Sequence, residues 1–144
     1  MEAGLLSSQL KAWCQSYVAA FSAYDVAAIS DHWVFPATIL VKGSPVVLPS
    51  KGLFDKNTET LCTFYRAQGV AKAERNLVSV FSMTQATASI RVADTLLDFS
   101  GDTIVAWEAA YTLTLINGHW RACLADAAGE MAAWADRGTP LGGG

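Results

Sequence analysis

Apolar side chains recur at helical spacing near the start of the chain. Ser7 or Ser8 can cap a helix, and the residues that follow place apolar side chains three or four positions apart. This stripe consists of Leu10, Trp13, Cys14, Tyr17, Val18 and Phe21. It predicts an amphipathic helix whose apolar face packs against the rest of the protein.

Two further helical stretches follow. Asp25 is a good N-cap for a short helix that runs to about Trp33. Pro36 marks the end of that helix, because the residue before a proline avoids helical geometry. A third apolar stripe predicts a helix over residues 52–67, and Gly69 ends it.

The remaining apolar segments have the patterns of β-strands. A hairpin is predicted from residues 38–41 and 46–48, which flank a Lys-Gly-Ser-Pro turn. Four longer strands are predicted over residues 70–83, 86–98, 103–116 and 119–127. An Asn-Gly pair between the last two is a strong hairpin signal. Helices followed by a meander of long strands predict the α+β class, with one or two helical turns over residues 128–136.

Period-two counting places two carboxylates on otherwise apolar strand faces. Successive side chains of a strand point to opposite faces, so Asp94 is expected to lie beside Ile90, and Asp126 beside Trp120 and Leu124. A third strand has an apolar face made of Val105, Trp107, Ala109, Tyr111, Leu113 and Leu115. A β-bulge in the strand of Asp94 or in the strand of Asp126 would exchange the two faces of that strand. Without a bulge, the two aspartates are the polar exceptions in the predicted interior.

The composition adds a surplus of apolar residues. The chain has 144 residues and a mass of 15.3 kDa, is 52% hydrophobic and only 16% charged, and has a mean hydropathy of +0.28. A charged fraction of roughly 25% is usual. This length predicts a single domain over residues 1–144, with a flexible tail over 139–144. The surplus implies an apolar pocket, a face buried against a partner, or both.

The net charge and the cysteine content indicate which binding partners and which cellular compartment to expect. A net charge of −3 gives no reason to expect nucleic acid, and no apolar stretch is long enough to predict a membrane span. Three widely spaced cysteines and the lack of a signal-peptide pattern predict free thiols in the cytoplasm. The chain has two histidines, no metal-ligand spacing and no nucleotide-binding motif, so no metal and no cofactor are predicted.

Three segments resemble the nuclear transport factor 2-like superfamily, especially its SnoaL-like polyketide-cyclase and ketosteroid-isomerase-like branches. SYVAAFSAYDVAAISDHW, residues 16–33, resembles the opening pattern of an apolar helix, a small-residue break, an aspartate cap and a short helix ending in an aromatic. The hairpin over residues 35–48 leads through Lys51-Gly52 into the third helix. YTLTLINGHWRACLAD, residues 111–126, resembles the closing pair of strands.

The resemblance implies a cystatin-like α+β roll. In it, a cone-shaped, curved antiparallel sheet wraps three N-terminal helices and an apolar pocket opens at one end. Many members form homodimers through the sheet. The isomerase branch places a tyrosine, a protonated aspartate and an aspartate base inside the cone.

Only one of these three isomerase residues has a counterpart at the corresponding position of this chain. Tyr17 falls on the tyrosine position. The base position falls near Val41, which has no carboxylate and whose neighbour Lys42 cannot replace one. The second aspartate position falls near Tyr111. The resemblance therefore predicts a pocket protein but argues against steroid isomerase activity.

Candidate site residues come from several of these elements. The candidate catalytic residues are Tyr17, which would polarise a ligand carbonyl, and Asp94 and Asp126, one of which would move a proton. The candidate ligand-binding residues are Trp33, His32, Trp107, Tyr111 and Trp120. Each also has a structural interpretation, as a core aromatic, a helix-end residue or a carboxylate exposed at a bulge or strand end.

Two hypotheses for the function follow. The first is a cofactor-independent protein that binds a small apolar or amphipathic molecule, with isomerase, cyclase or dehydratase chemistry as its catalytic version. The alternative is a non-catalytic, dimeric interaction module that uses the outer sheet face, where Arg91, Glu108, Thr112 and Thr114 are expected. A cavity of roughly several hundred Å³ with convergent polar groups favours the first hypothesis, and a filled cone favours the second.

Overall fold

Helices and strands follow one another in the predicted order in a computed structural model, which describes residues 3–141. The elements are α1 (Ala3–Ser22), α2 (Val26–Ser30), β1 (Trp33–Val41), β2 (Ser44–Leu48), α3 (Lys51–Ala67), β3 (Lys72–Thr84), β4 (Thr87–Leu97), β5 (Thr103–Ile116), β6 (His119–Asp126) and α4 (Ala128–Arg137). Residues 142–144 of the predicted flexible tail lie outside the described residues. None of the helices described is long and apolar enough to cross a membrane.

The six strands form one curved sheet in the order β2-β1-β6-β5-β4-β3. The predicted α+β class, with a curved sheet that packs against N-terminal helices, is confirmed. One pairing differs from the prediction of an antiparallel sheet: β1 and β6 run parallel. These two strands are joined by α3 and the whole meander rather than by a tight turn, so no hairpin dictates their direction.

The second helix is shorter than predicted, and the first strand is longer. Helix α2 ends at Ser30, and Trp33 begins β1, where it pairs with Ala122 of β6. The register between β1 and β6 shifts between Trp33 and Thr38, a stretch that contains Pro36. A proline is tolerated in a strand at such an irregularity, because no ladder bond needs its missing N–H.

A bulge in β6 exchanges the faces of its last residues. Thr112 pairs with Leu124 and Leu113 with Ala122, which leaves one extra residue, Cys123, in β6. Beyond the bulge it is Ala125 that is buried. The prediction that Asp126 shares an inner face with Trp120 and Leu124 is therefore wrong, because Asp126 pairs with Ala110 on the outer face. The predicted inner face of β4, made of Ala88, Ile90, Val92, Asp94 and Leu96, is confirmed by the burial of all five residues.

Helix α4 closes the end of the sheet that the N-terminal helices leave uncovered. Its Trp134 is fully buried and packs with Phe64 and Tyr65 of α3. The first turn of α4 lies against the backbone of β5, and a Cβ at Gly129 would collide with the carbonyl oxygen of Glu108. Glycine at position 129 therefore allows α4 to pack closely against β5.

We expect Gly129→Ala to lower the free energy of unfolding by about 1–3 kcal/mol, since a methyl group must displace either the helix or β5. The matched control is Gly4→Ala, because a Cβ at Gly4 in α1 meets no atom within 4 Å. Alanine favours helix, so this control should be neutral or stabilising by up to about 1 kcal/mol. Urea unfolding measures the free energy of unfolding of both variants, and equal values would contradict the close packing of α4 against β5.

Candidate functional site

An apolar cavity of about 590 Å³ lies between the sheet and helices α1, α3 and α4. Its wall is rich in aromatic side chains: Tyr17, Phe21, Trp33, Phe54, Phe64, Tyr65, Trp107 and Tyr111. This volume and lining are typical of a site for a small organic molecule.

Three separate elements place predicted site residues in the cavity wall. The apolar stripe of α1 brings Tyr17 to the sheet, and Trp33 reaches the same wall as the first residue of β1. Trp107 and Tyr111 lie four residues apart on one face of β5, so both point inward. The nitrogen Nε1 of Trp33 donates to the Tyr17 hydroxyl at 2.9 Å, which fixes the position of that hydroxyl.

A buried ion pair forms the polar centre of the cavity. Arg75 of β3 and Asp94 of β4 are each 6% exposed. Arg75 donates from Nε to Oδ1 of Asp94 at 2.6 Å and from Nη2 to Oδ2 at 2.7 Å. Both oxygens of the predicted catalytic aspartate are thus engaged by one guanidinium group.

The same guanidinium contacts two tyrosines. Its Nη2 also donates to the Tyr111 hydroxyl at 2.9 Å. Its central carbon lies 5.2 Å from the ring centroid of Tyr17 and 4.6 Å from that of Tyr111, within the range of cation–π interactions. Arg75 therefore joins strands β3, β4 and β5 to helix α1 at one point.

Two hydrogen-bond donors, the hydroxyls of Tyr17 and Tyr111, remain available at this centre. Nη1 of Arg75 has no hydrogen-bond partner among the described residues, but less than 1 Å² of this atom is accessible, so it presents no surface to the cavity. The hydroxyls of Tyr17 and Tyr111 accept bonds, from Trp33 and Arg75, and each keeps a proton to donate. Burial raises the pKa of Tyr111 to about 12 and that of Tyr17 well above its usual value, so both stay protonated at neutral pH.

A second carboxyl group, Glu130 of α4, lines the same cavity. Its Oε2 accepts a hydrogen bond from the Tyr65 hydroxyl and another from Nε1 of Trp134, the latter at 3.2 Å. Burial raises the pKa of Glu130 to about 7, although these two bonds oppose the shift. This carboxyl group can therefore gain or lose a proton near neutral pH.

Both Arg75 and Glu130 are absent from the candidates drawn from the sequence. A signal for Arg75 was available: an aspartate on a buried strand face needs a cationic partner, and Arg75 alternates with the apolar Ala73 and Leu77 on the neighbouring strand. Glu130 lies one helical turn before Trp134 and so shares its buried face.

Two of the predicted ligand-binding residues lie outside the cavity lining. The ring of His32 packs against Trp13 and Tyr17, its Nδ1 lies 2.7 Å from the carbonyl oxygen of Ala28, and its Nε2 lies 2.8 Å from the hydroxyl of Ser16. Trp120 is buried elsewhere in the core. Its Nε1 donates to the side-chain oxygen of Gln9 at 3.0 Å.

The predicted catalytic residue Asp126 borders the mouth of the cavity. Its Oδ1 accepts a hydrogen bond from the backbone N–H of Ala128 at 3.0 Å, at the first residue of α4. Among the described residues, no group of three or more His, Cys, Asp or Glu is arranged to hold a metal ion.

A groove of about 710 Å³ between α1 and β3 is larger but differs in chemistry. It opens to solvent and carries Gln15, Ser22, Lys72 and Glu74. Its best-placed polar groups are already used, since Gln15 donates to the carbonyl oxygen of Arg75 and Ser22 is bonded to the backbone of Ala73. The aromatic cavity is therefore the candidate site.

The raised pKa of Glu130 predicts a pH-dependent stability. The folded protein holds this proton up to about pH 7, whereas the unfolded chain releases it near 4.5. The free energy of unfolding therefore decreases as the pH rises through this interval, by at most about 3 kcal/mol, and Glu130 causes no further change above it. Urea unfolding of the wild type and of Glu130→Gln should give a stability difference that follows this course. A difference independent of pH would contradict the assignment.

Solved structures give the fold of the chain independent support. The protein Aln2 from a Streptomyces species superimposes with a TM-score of 0.68 at 13% identity, covering 88% of this chain and 91% of that one. A ketosteroid isomerase-like protein from Erwinia carotovora atroseptica gives 0.62 at 16% identity, covering 83% and 92%. A protein of unknown function with a cystatin-like fold from Nostoc punctiforme gives 0.67 at 11%, covering 88% and 77%. At these identities the similarity establishes the fold alone.

Sequence comparison identifies the family. No curated protein matches the chain. Residues 8–129 match the family described as NTF2-like protein (DUF6841), which confirms the resemblance seen in the sequence. The match begins within α1, covers every element from α2 to β6 and ends at the second residue of α4. The chain therefore belongs to this NTF2-like family.

Proposed function

We propose that the protein binds a small, uncharged, apolar or amphipathic molecule in the aromatic cavity. In this proposal, an oxygen atom of the ligand accepts hydrogen bonds from the hydroxyls of Tyr17 and Tyr111. The observation that carries the proposal is the pair of hydroxyl groups of Tyr17 and Tyr111, which line the aromatic cavity, accept hydrogen bonds and keep their own protons to donate.

The charges of the site favour a neutral ligand over an anion. The charge of Arg75 is already matched by Asp94 through two hydrogen bonds. Glu130 also lines the cavity, and Asp126 borders its mouth. A ligand carboxylate would add a negative charge with no free cation among the described lining residues to balance it, whereas a carbonyl oxygen uses the same donors without that cost.

The catalytic version of the proposal is proton transfer next to a carbonyl group, without a cofactor. When a base removes a proton from the carbon beside the carbonyl, the electron pair of that C–H bond forms a C=C bond and the oxygen becomes negative. The hydroxyl donors of Tyr17 and Tyr111 would stabilise that oxygen. Glu130 would take the proton and return it to another carbon in an isomerisation, to the oxygen of the attacked carbonyl group in a cyclisation, or to the departing hydroxyl group, released as water, in a dehydration.

Glu130 suits this role better than the two aspartates. Both oxygens of Asp94 are held by Arg75, and an oxygen of Asp126 accepts a bond at the start of α4. Glu130 faces the cavity with a pKa of about 7, close to the value at which a proton donor or acceptor works best at neutral pH.

The binding step can be tested with a matched pair of probes, the ketone 2-acetylnaphthalene and the acid 2-naphthoate. We expect the ketone to quench tryptophan fluorescence on binding, because Trp33 and Trp107 line the cavity, and to bind more tightly than the acid. Tyr17→Phe should weaken ketone binding about tenfold, the effect of one lost hydrogen bond. Mass spectrometry of molecules released from the purified protein would identify a co-purified ligand.

The control for that experiment is Tyr24→Phe. The hydroxyl of Tyr24 donates to the carbonyl oxygen of Val70 and is not part of the cavity lining, so its loss should leave ketone binding unchanged. Failure of every probe to bind, together with no co-purified molecule, would overturn the proposal. Equal effects of the two tyrosine variants would remove Tyr17 from the binding site.

The proton-transfer step can be followed by deuterium exchange. In D₂O, the methyl protons of bound 2-acetylnaphthalene should exchange faster than in buffer, as measured by NMR. The ionised form of Glu130 is the base, so the rate should rise with pH and level off above about 7. Glu130→Gln should reduce the catalysed rate at least about 100-fold while leaving binding of the ketone intact. Catalysed exchange that is unchanged in this variant would exclude Glu130 as the base, and wild-type exchange no faster than in buffer would leave a binding protein without catalysis.

A further inference from the structure

The two hydrogen bonds that Glu130 accepts end on the same oxygen atom. The hydroxyl of Tyr65, on α3, and Nε1 of Trp134, on α4, both donate to Oε2. The other oxygen, Oε1, has no hydrogen-bond partner among the described residues and is not sealed from solvent. Because Glu130 belongs to the cavity lining, Oε1 is the oxygen that a ligand can reach.

The proton of the neutral carboxyl group belongs on Oε1. A carboxylate oxygen has about two lone-pair sites, and Oε2 already accepts two donors. A proton on Oε2 would displace one of these donors and leave it buried without a partner, which costs free energy. A proton on Oε1 displaces no hydrogen bond.

The two donors are held in place by packing. Tyr65 is 4% exposed, Trp134 is fully buried, and their ring centroids lie 6.0 Å apart. Phe64 packs edge-on against Trp134 at 4.9 Å, and the ring of Phe21 lies 6.0 Å from that of Tyr65. Side chains whose rotamers are fixed by such packing can hold a reacting group in one orientation.

The same two bonds favour the ionised form of Glu130. Burial raises the pKa of Glu130, and the hydrogen bonds from Tyr65 and Trp134 lower it, with the larger effect from Tyr65. Burial and the negative charge of Glu130 raise the pKa of Tyr65 well above its usual value, so this hydroxyl remains a donor at neutral pH.

The charged groups around the cavity have smaller effects on Glu130. The negative charge of Asp94 on β4 raises the pKa of Glu130, and the positive charge of Arg75 on β3 lowers it. These two groups are paired with one another, so their effects oppose. On β5, Tyr111 faces the cavity as a neutral hydroxyl, and the side chain of Glu108 is 58% accessible on the outer face.

We propose that Tyr65 and Trp134 are positioning residues, which hold Oε2 of Glu130 so that Oε1 alone takes the proton from the ligand and returns it. This role rests on the proposed function. In the first step, a lone pair of Oε1 forms the new O–H bond, the C–H electron pair forms the C=C bond and the ligand oxygen becomes negative. In the second step, the O–H bond of Oε1 breaks and its proton goes to the accepting carbon or oxygen. Tyr65 keeps its own proton throughout.

Tyr65→Phe removes one hydroxyl group and leaves the ring in place. We expect the midpoint of the pH profile of 2-acetylnaphthalene exchange to rise by about 1 pH unit, because the ionised carboxyl group loses a hydrogen bond. The limiting rate at high pH should fall about tenfold at saturating ketone, because the carboxylate can turn away from the ligand, while KM is unchanged. Deuterium exchange followed by NMR gives all three values.

The matched control is Tyr24→Phe, which removes a hydroxyl that donates to the carbonyl oxygen of Val70 outside the cavity lining. Neither the midpoint nor the limiting rate should change in this variant. A merely structural role of the Tyr65 hydroxyl would reduce the stability of Tyr65→Phe without moving the midpoint, and that result would overturn the positioning role.

Carbon-13 NMR of the glutamate carboxyl groups separates this role from the proposed reaction. The chain has five glutamates, and Glu130→Gln identifies the signal of Glu130. Without ketone, Tyr65→Phe should raise the titration midpoint of that signal by about 1 pH unit. An unchanged signal, or a shifted signal with an unshifted exchange profile, overturns the positioning role. Wild-type protein that titrates near pH 7 but does not exchange the ketone would overturn the proposed reaction and the catalytic role with it, whereas a shift in Tyr65→Phe would still confirm that Tyr65 holds Oε2.

Discussion

The buried pair of Arg75 and Asp94 is the interaction on which the site depends. It joins β3 to β4 through two short hydrogen bonds, and the guanidinium group also contacts Tyr111 of β5 and the ring of Tyr17 on α1. Two charges removed from water must satisfy one another closely, or the interior becomes less stable than an apolar one. Their positions therefore fix where the sheet, the first helix and the cavity wall meet.

The same pair determines what the cavity offers to a ligand. A buried ion pair generally contributes little net stability compared with a well-packed apolar replacement, so stability alone does not explain its place in an apolar interior. Bidentate pairing uses Nε and Nη2 of Arg75 and leaves Nη1 without a partner among the described residues. The site thus has a polar centre whose positive charge is already neutralised, beside the hydroxyl donors of Tyr17 and Tyr111, a combination that suits a neutral oxygen acceptor.

The sequence predicted the fold further than it predicted the site. Periodicity was sufficient for the inner faces of β4 and β5, because burial along a regular strand follows alternation. It failed for Asp126, because the extra residue Cys123 exchanges the faces of β6 and nothing in single-strand alternation reveals a bulge. Arg75 and Glu130 were missed because their roles depend on partners distant in sequence: Asp94 is 19 residues from Arg75, and Tyr65 is 65 residues from Glu130.

The two carboxyl groups of the cavity, Asp94 and Glu130, have different hydrogen-bond partners. Both oxygens of Asp94 accept hydrogen bonds from the guanidinium group of Arg75. Glu130 has only the neutral donors of Tyr65 and Trp134 among the described residues, so burial keeps its proton up to about pH 7. Because the same two bonds tie Glu130 to α3 and to the buried face of α4, the packing that closes the cavity also creates its titratable group. A change that unseats α4 would then return Glu130 to water and lower its pKa, so closure of the cavity and its acid–base character are coupled.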